Sequence, residues 1–136
     1  MKVKHSLSYI EVFIMAFVLG IAAKLVSPQS AEASTEAKTC CLVDCLEAMR
    51  TVLDLYRIHH EDCFPPSDSF AGFAIALTTK AGKFVPYVER IPVNPFNSLN
   101  TVRFDGEPAG AGKAGWRLDT NTGLFQADND VAHAAL

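Results

Sequence analysis

Four cysteines, four histidines and fifteen acidic residues are the groups in this 136-residue chain with the capacity for chemistry. Cys40, Cys41, Cys45 and Cys63 invite a disulfide or a metal. Cys41 and Cys45 share a helix face at i, i+4, whereas Cys63 lies past the expected end of the same helix. A helix rises about 22 Å from Cys45 to His60, too far for the roughly 5–6 Å Cα separation of a disulfide. A bond from Cys63 to the others therefore needs a second subunit or a bent helix, and packed or unpaired thiols are the simpler expectation. There is no C-x-x-C pair and no C-x-x-C-H, so zinc-ribbon and c-type haem readings lack support.

His59-His60-Glu61-Asp62-Cys63 concentrates ligand-type side chains, but the i, i+4 histidine pair of H-E-x-x-H is missing. Histidines at a helix C-terminus also suit its dipole. Asp119, Asn121, Asp128 and Asp130 cluster around an expected final hairpin and offer oxygen ligands for calcium; no other cofactor is expected. The chain has neither G-x-S-x-G nor G-x-x-x-x-G-K-[ST], and Gly110-Ala111-Gly112 lacks the strand–turn–helix setting of a dinucleotide site. No catalytic constellation stands out, and the expectation is a protein that is not an enzyme.

One further acid stands apart. Glu11 opens an apolar run, Val12–Ala23, in which twelve residues pass without a charge. Extended to Leu7–Val26, the run has the length of a helix of about 30 Å, enough to cross a bilayer core. A carboxylate costs roughly 2.5–3.5 kcal/mol at mid-membrane and less near the interface. Glu11 is then either tolerated at headgroup depth or paired with a basic group or an amine. Charge is divided along the chain. Residues 1–28 carry three lysines against Glu11, a net +2, and residues 29–136 carry nine basic against fourteen acidic residues, a net −5. The overall −3 and a mean hydropathy of +0.16 are averages over these unlike parts. Lys2 and Lys4 before the run place that end in the cytoplasm by the positive-inside rule, with the remainder across the membrane. No basic footprint for nucleic acid exists. A basic start, an apolar stretch and Ala31-Glu32-Ala33 also satisfy the pattern of a cleavable signal peptide, which would leave a soluble protein.

Ser6-Leu7-Ser8-Tyr9-Ile10-Glu11-Val12 followed by an apolar run resembles the N-terminus of type IV pilins and type II secretion pseudopilins. In that family a short basic leader ends in a small residue, and the mature chain starts apolar with glutamate at its fifth position. Cleavage between Ser6 and Leu7 puts Glu11 at that position, and the family's proline seventeen residues further on is matched by Pro28. Ser6 stands where glycine is usual and Leu7 where phenylalanine is usual. Leu53-Asp54-Leu55-Tyr56-Arg57, Cys63-Phe64-Pro65-Pro66 and Ile91-Pro92-Val93-Asn94-Pro95-Phe96 look like segments of the major, G-type pseudopilin.

The resemblance implies a leader at 1–6, a transmembrane and assembly helix at 7–28, and a periplasmic pilin-like head at 29–136. It implies cleavage after Ser6 by a prepilin peptidase, N-methylation of Leu7, and a helical homopolymer in which Glu11 neutralises the amine of a neighbouring subunit. The implied partners are other copies of the chain, an inner-membrane secretion platform and minor pseudopilins. The implied place is the bacterial inner membrane, single-pass, feeding a periplasmic filament that supports protein export. Major pseudopilins bind calcium in a C-terminal loop that is longer and more acidic than the one here. A type IV pilin or minor pseudopilin used in adhesion or uptake shares the same architecture. A secreted soluble binding protein, cleaved after Ala33, is the alternative from another class.

The elements that must position these groups follow from periodicity. Leu42, Leu46, Met49, Leu53 and Tyr56 step by 4, 3, 4 and 3 and predict one apolar stripe on a helix over 31–60. Asp44, Glu47, Arg50, Asp54 and Arg57 are expected on its solvated face. Pro28 is expected to bend or open the helix. Pro65-Pro66 ends it, and Ser67–Thr78 suits a second helix capped by Ser67 or Ser69. The connection 61–100 is otherwise irregular, with Lys80–Leu99 rich in Pro, Gly and Asn. Thr101–Phe104, Trp116–Asp119 and Leu124–Ala127 read as strands, the last two flanking a Thr120-Asn121-Thr122-Gly123 turn. Gly106–Gly115 reads as a flexible link. The expected fold is α+β: a long N-terminal helix whose stripe is covered by a small antiparallel sheet at 101–127.

Overall fold

The computed structural model describes the backbone of residues 9–136 and the side chains of residues 31–136. The chain divides into two units, residues 1–37 and 38–136. Helix α1, Tyr9–His59, supplies the first unit and continues into the second. Among the described residues no helix is long and apolar enough to cross a membrane. The side chains of the Leu7–Val26 run lie outside the described residues, and α1 continues as helix through Pro28, where the sequence led to an expected bend or opening.

The second unit is α+β. Its core starts from the stripe: Leu42, Leu46, Met49, Leu53 and Tyr56 are all buried on one side of α1. They pack with Phe73 and Leu77 of α2 (Phe70–Thr78), with Ile91, and with Val102, Trp116, Leu118, Phe125 and Ala127 of the sheet. The chain leaves α1 through Glu61 and Asp62, both at positive φ, with the Asp62 N–H returning to the Arg57 carbonyl at 2.8 Å. This closes the helix end in the left-handed manner usual for glycine, here without one. Ser69 caps α2 by accepting from the Gly72 N–H. The Leu77 carbonyl then accepts from the N–H groups of Tyr87 and Val88, tying the irregular segment back to α2.

Three short strands make the sheet: β1 Val102–Phe104, β2 Trp116–Leu118 and β3 Phe125–Ala127, in the order β1-β2-β3. The β2–β3 pair is the expected antiparallel hairpin, with Trp116 opposite Ala127 and Leu118 opposite Phe125. The β1–β2 pair is parallel, with Val102 beside Trp116 and Phe104 beside Leu118, so the sheet is mixed rather than antiparallel. Parallel neighbours need a crossover long enough to return the chain to the starting end. Residues 105–115 supply it, and they are pinned rather than flexible, for reasons given below. A four-residue helix α3, Val131–Ala134, capped by Asp130, follows β3 and was not foreseen from the sequence.

Two backbone approaches admit only glycine. A Cβ on Gly115 would lie 2.1 Å from the Leu99 carbonyl oxygen, and one on Gly110 (φ +91°) would lie 2.6 Å from the Val131 backbone. These contacts bring the 94–99 loop and the start of α3 against the crossover.

Candidate functional site

The crossover is organised by one buried ion pair. Asp128, at the end of β3, is fully buried. Arg103 of β1 grips it with two bonds, Nε to Oδ2 at 2.7 Å and Nη2 to Oδ1 at 2.6 Å. The backbone N–H groups of Gly110 and Ala111 donate to Oδ1, and that of Ala114 donates to Oδ2. The rest of the guanidinium donates to the carbonyls of Asp105, Glu107 and Pro108. Burial pushes the Asp128 carboxyl up, but the Arg103 hydrogen bonds and charge, with the Ala111 and Ala114 N–H groups, outweigh it and hold it below the ordinary value. The same pairing raises Arg103. A carboxylate removed from water is tolerable only when its lone pairs are filled, and here they are.

The other hairpin acids are committed to local backbone. Asp119 accepts from the N–H groups of Asn121 and Thr122, both at 3.0 Å, and from Arg117 at 3.2 Å. Those bonds, led by the Thr122 N–H, lower its carboxyl. Asp130 accepts from the Ala132 N–H as the cap of α3. Asn121 is exposed at the turn. Asp105, missed in the sequence, accepts from the Thr120 N–H and hydroxyl at 2.7 Å each and latches the β1 end to the hairpin. The acids expected to offer oxygens to calcium are thus placed around one hairpin, each with protein donors. Among the described residues no three His, Cys, Asp or Glu side chains converge as a metal site.

Asn94 and Arg50 take structural roles that the sequence pattern does not reveal. Asn94 is fully buried and bridges three segments: its Nδ2 donates to the Gly115 carbonyl and to Asn129 Oδ1, and its Oδ1 accepts from the Phe96 N–H, all at 2.9 Å. Beside it, Trp116 Nε1 donates to the Pro92 carbonyl at 2.8 Å. Arg50, expected on the solvated face, is half-buried instead. Its Nε and Nη2 donate to the Phe125 carbonyl at 3.1 and 3.0 Å, and Nη1 reaches the Leu136 carbonyl at 3.3 Å. An arginine one position past the buried Met49 lies at the margin of the stripe, and β3 presents an unpaired carbonyl within its reach.

The histidine-rich helix end is an aromatic cluster. His60 stacks on Tyr56 with ring centroids 4.0 Å apart, and His59 stacks on Phe84 at 4.4 Å. His59 Nδ1 lies 2.9 Å from the Tyr87 hydroxyl. Asp62 pairs with Arg57, whose guanidinium sits 4.8 Å above the Phe64 ring. The four cysteines are free thiols; Cys40, Cys41 and Cys63 are exposed and Cys45 is half-buried.

Of the residues picked out near the N-terminus, Ser6 and Leu7 lie outside the described residues. Glu11 and Pro28 fall in α1, and their side chains lie outside the described ones. No protein-family model, curated protein or solved structure matches the chain.

Proposed function

We propose that the chain is a filament subunit, a pseudopilin of the major type serving a type II secretion-like apparatus. The observation that carries the proposal is the spacing in the sequence: a small residue and an apolar one at Ser6-Leu7, Glu11 at the fifth mature position, and Pro28 seventeen residues later, within and after a membrane-length apolar run. The α+β unit supports it. Every buried side chain among the described residues lies at Leu42 or later, so the core of the α+β unit is built from residues after the amphipathic part of α1 begins.

The physical logic of assembly is an exchange of environments. Apolar helices extracted from lipid meet other apolar helices in a filament core, at little change in apolar exposure. Glu11 then faces the amine of Leu7 on a neighbouring copy, and a paired charge replaces a lone one. Replacing Glu11 by Ala is expected to leave membrane insertion intact and to abolish or sharply reduce filament yield. Filaments at the normal yield from that variant would remove the role assigned to Glu11.

One observation favours a second reading. Ala31, Glu32 and Ala33 are exposed, and the compact unit begins at Lys38. A signal peptidase cut after Ala33 would therefore release a secreted soluble protein with its core whole. The mature N-terminus separates the two.

A further inference from the structure

Three sulfur side chains recur at every fourth position of α1: Cys41, Cys45 and Met49. On a helix, positions i and i+4 share a face, and each further step of four turns toward the core: Cys41 is exposed, Cys45 half-buried and Met49 buried. All three line a single groove of about 240 Å³ between α1 and the segment carrying Val88, Arg90 and Pro92. Ala48 and Val52 add to its apolar wall, and Asp44 and Arg90 are the charged side chains that line it. Cys45 packs against the core. Helical side chains lean toward the N-terminus, which carries a thioether at i+4 toward the preceding thiol.

The donor set selects the ligand. Calcium and magnesium require six or more oxygens, and the groove has one carboxylate. Structural zinc takes four ligands, and only Asp44 is available to extend the two thiols. Thiolate and thioether sulfur favour soft ions, cuprous copper above the others available to a cell, and such an ion is content with two or three ligands. We propose that Cys41 and Cys45, with Met49 as the third sulfur, form a binding site for Cu(I).

Binding is a proton exchange without redox change. Two S–H bonds break, two protons leave to solvent, and three Cu–S bonds form, two to thiolates and one donated by the Met49 thioether, while copper and sulfur keep their oxidation states. The bound unit carries one negative charge, and Arg90 is the basic residue among those lining the groove. Because two protons are released, affinity must climb steeply with pH. The site stands on the head alone and does not depend on the filament role.

The test is an anaerobic titration of the reduced full chain in detergent with Cu(I), in competition with a chromophoric cuprous chelator. The expected result is one ion per chain, with apparent affinity rising about a hundredfold per pH unit below the thiol range, as release of two protons requires. Cys41→Ser and Cys45→Ser each lower affinity at least about a hundredfold, and Met49→Leu, which conserves core volume, lowers it about tenfold. Cys40→Ser and Cys63→Ser leave it unchanged. Circular dichroism and melting temperature of each variant, measured alongside, separate loss of a ligand from loss of the fold. The proposal is overturned if the parent chain does not bind Cu(I), if the Cys41→Ser/Cys45→Ser double variant binds as tightly, or if binding is lost with Cys40 or Cys63.

Discussion

The N-terminal segment and the head handle charge in opposite ways. Residues 1–28 place a single acid, Glu11, in an apolar run, with no basic residue between it and Lys24. The head buries an acid and fills every side of it: Asp128 has Arg103 and three backbone N–H groups within the same chain. A buried carboxylate satisfied internally stabilises one fold, whereas an acid in a membrane-length apolar run suits a partner supplied by another subunit. Substitutions in the head should therefore change stability, and substitutions near Glu11 should change assembly with the head's stability untouched.

The largest effect that separates the two regions is expected at Asp128. Asp128→Ala leaves Arg103 uncompensated and three N–H groups without their acceptor, and should cost about 3–5 kcal/mol of unfolding free energy in urea melts. Pairing holds the folded Asp128 carboxyl below its ordinary value. Its contribution is therefore complete above the unfolded value, about 3.9, and is lost as the pH falls through the folded one. Asp128→Asn should flatten the acid side of the stability profile, and an unaltered acid limb would show that the pair is not what fails in acid. Arg50→Ala comes next, at about 1.5–3 kcal/mol, because two charge-assisted bonds to the Phe125 carbonyl disappear. A melting temperature equal to the parent's would return Arg50 to the solvated face.

Smaller effects sharpen the contrast. Ser69→Ala removes the cap of α2 and should cost about 1 kcal/mol. At the far end of the scale, a chain of residues 34–136 should unfold at the same urea concentration as the full chain, since it retains every buried side chain among the described residues. A shift to markedly lower urea would mean that the head borrows stability from the residues before it.

What could be read from the sequence, and what could not, follows the range of the interactions. The stripe from Leu42 to Tyr56 is legible because helical periodicity is local, and all five of its residues are buried. The Thr120–Gly123 turn and the Ser69 cap are legible for the same reason. The direction of β1 is not. Nothing in residues 105–115 states which way the chain returns; the decision rests on Arg103 and Asp128, separated by twenty-five positions. Arg50 looked solvated because helix geometry alone does not reveal a sheet-edge carbonyl contributed by Phe125. Helix α3 is too short for any period to register. The acids of the hairpin were located correctly as a group, but their individual partners depend on the folded crossover.

The central claim concerns processing and assembly at the N-terminus, and the mature protein's intact mass and first residue test it most directly. Chain recovered from the membrane of producing cells is expected to begin at Leu7 and to carry one methyl group on its amine. A mature chain beginning at Ser34 would contradict the filament role and identify a secreted soluble protein instead.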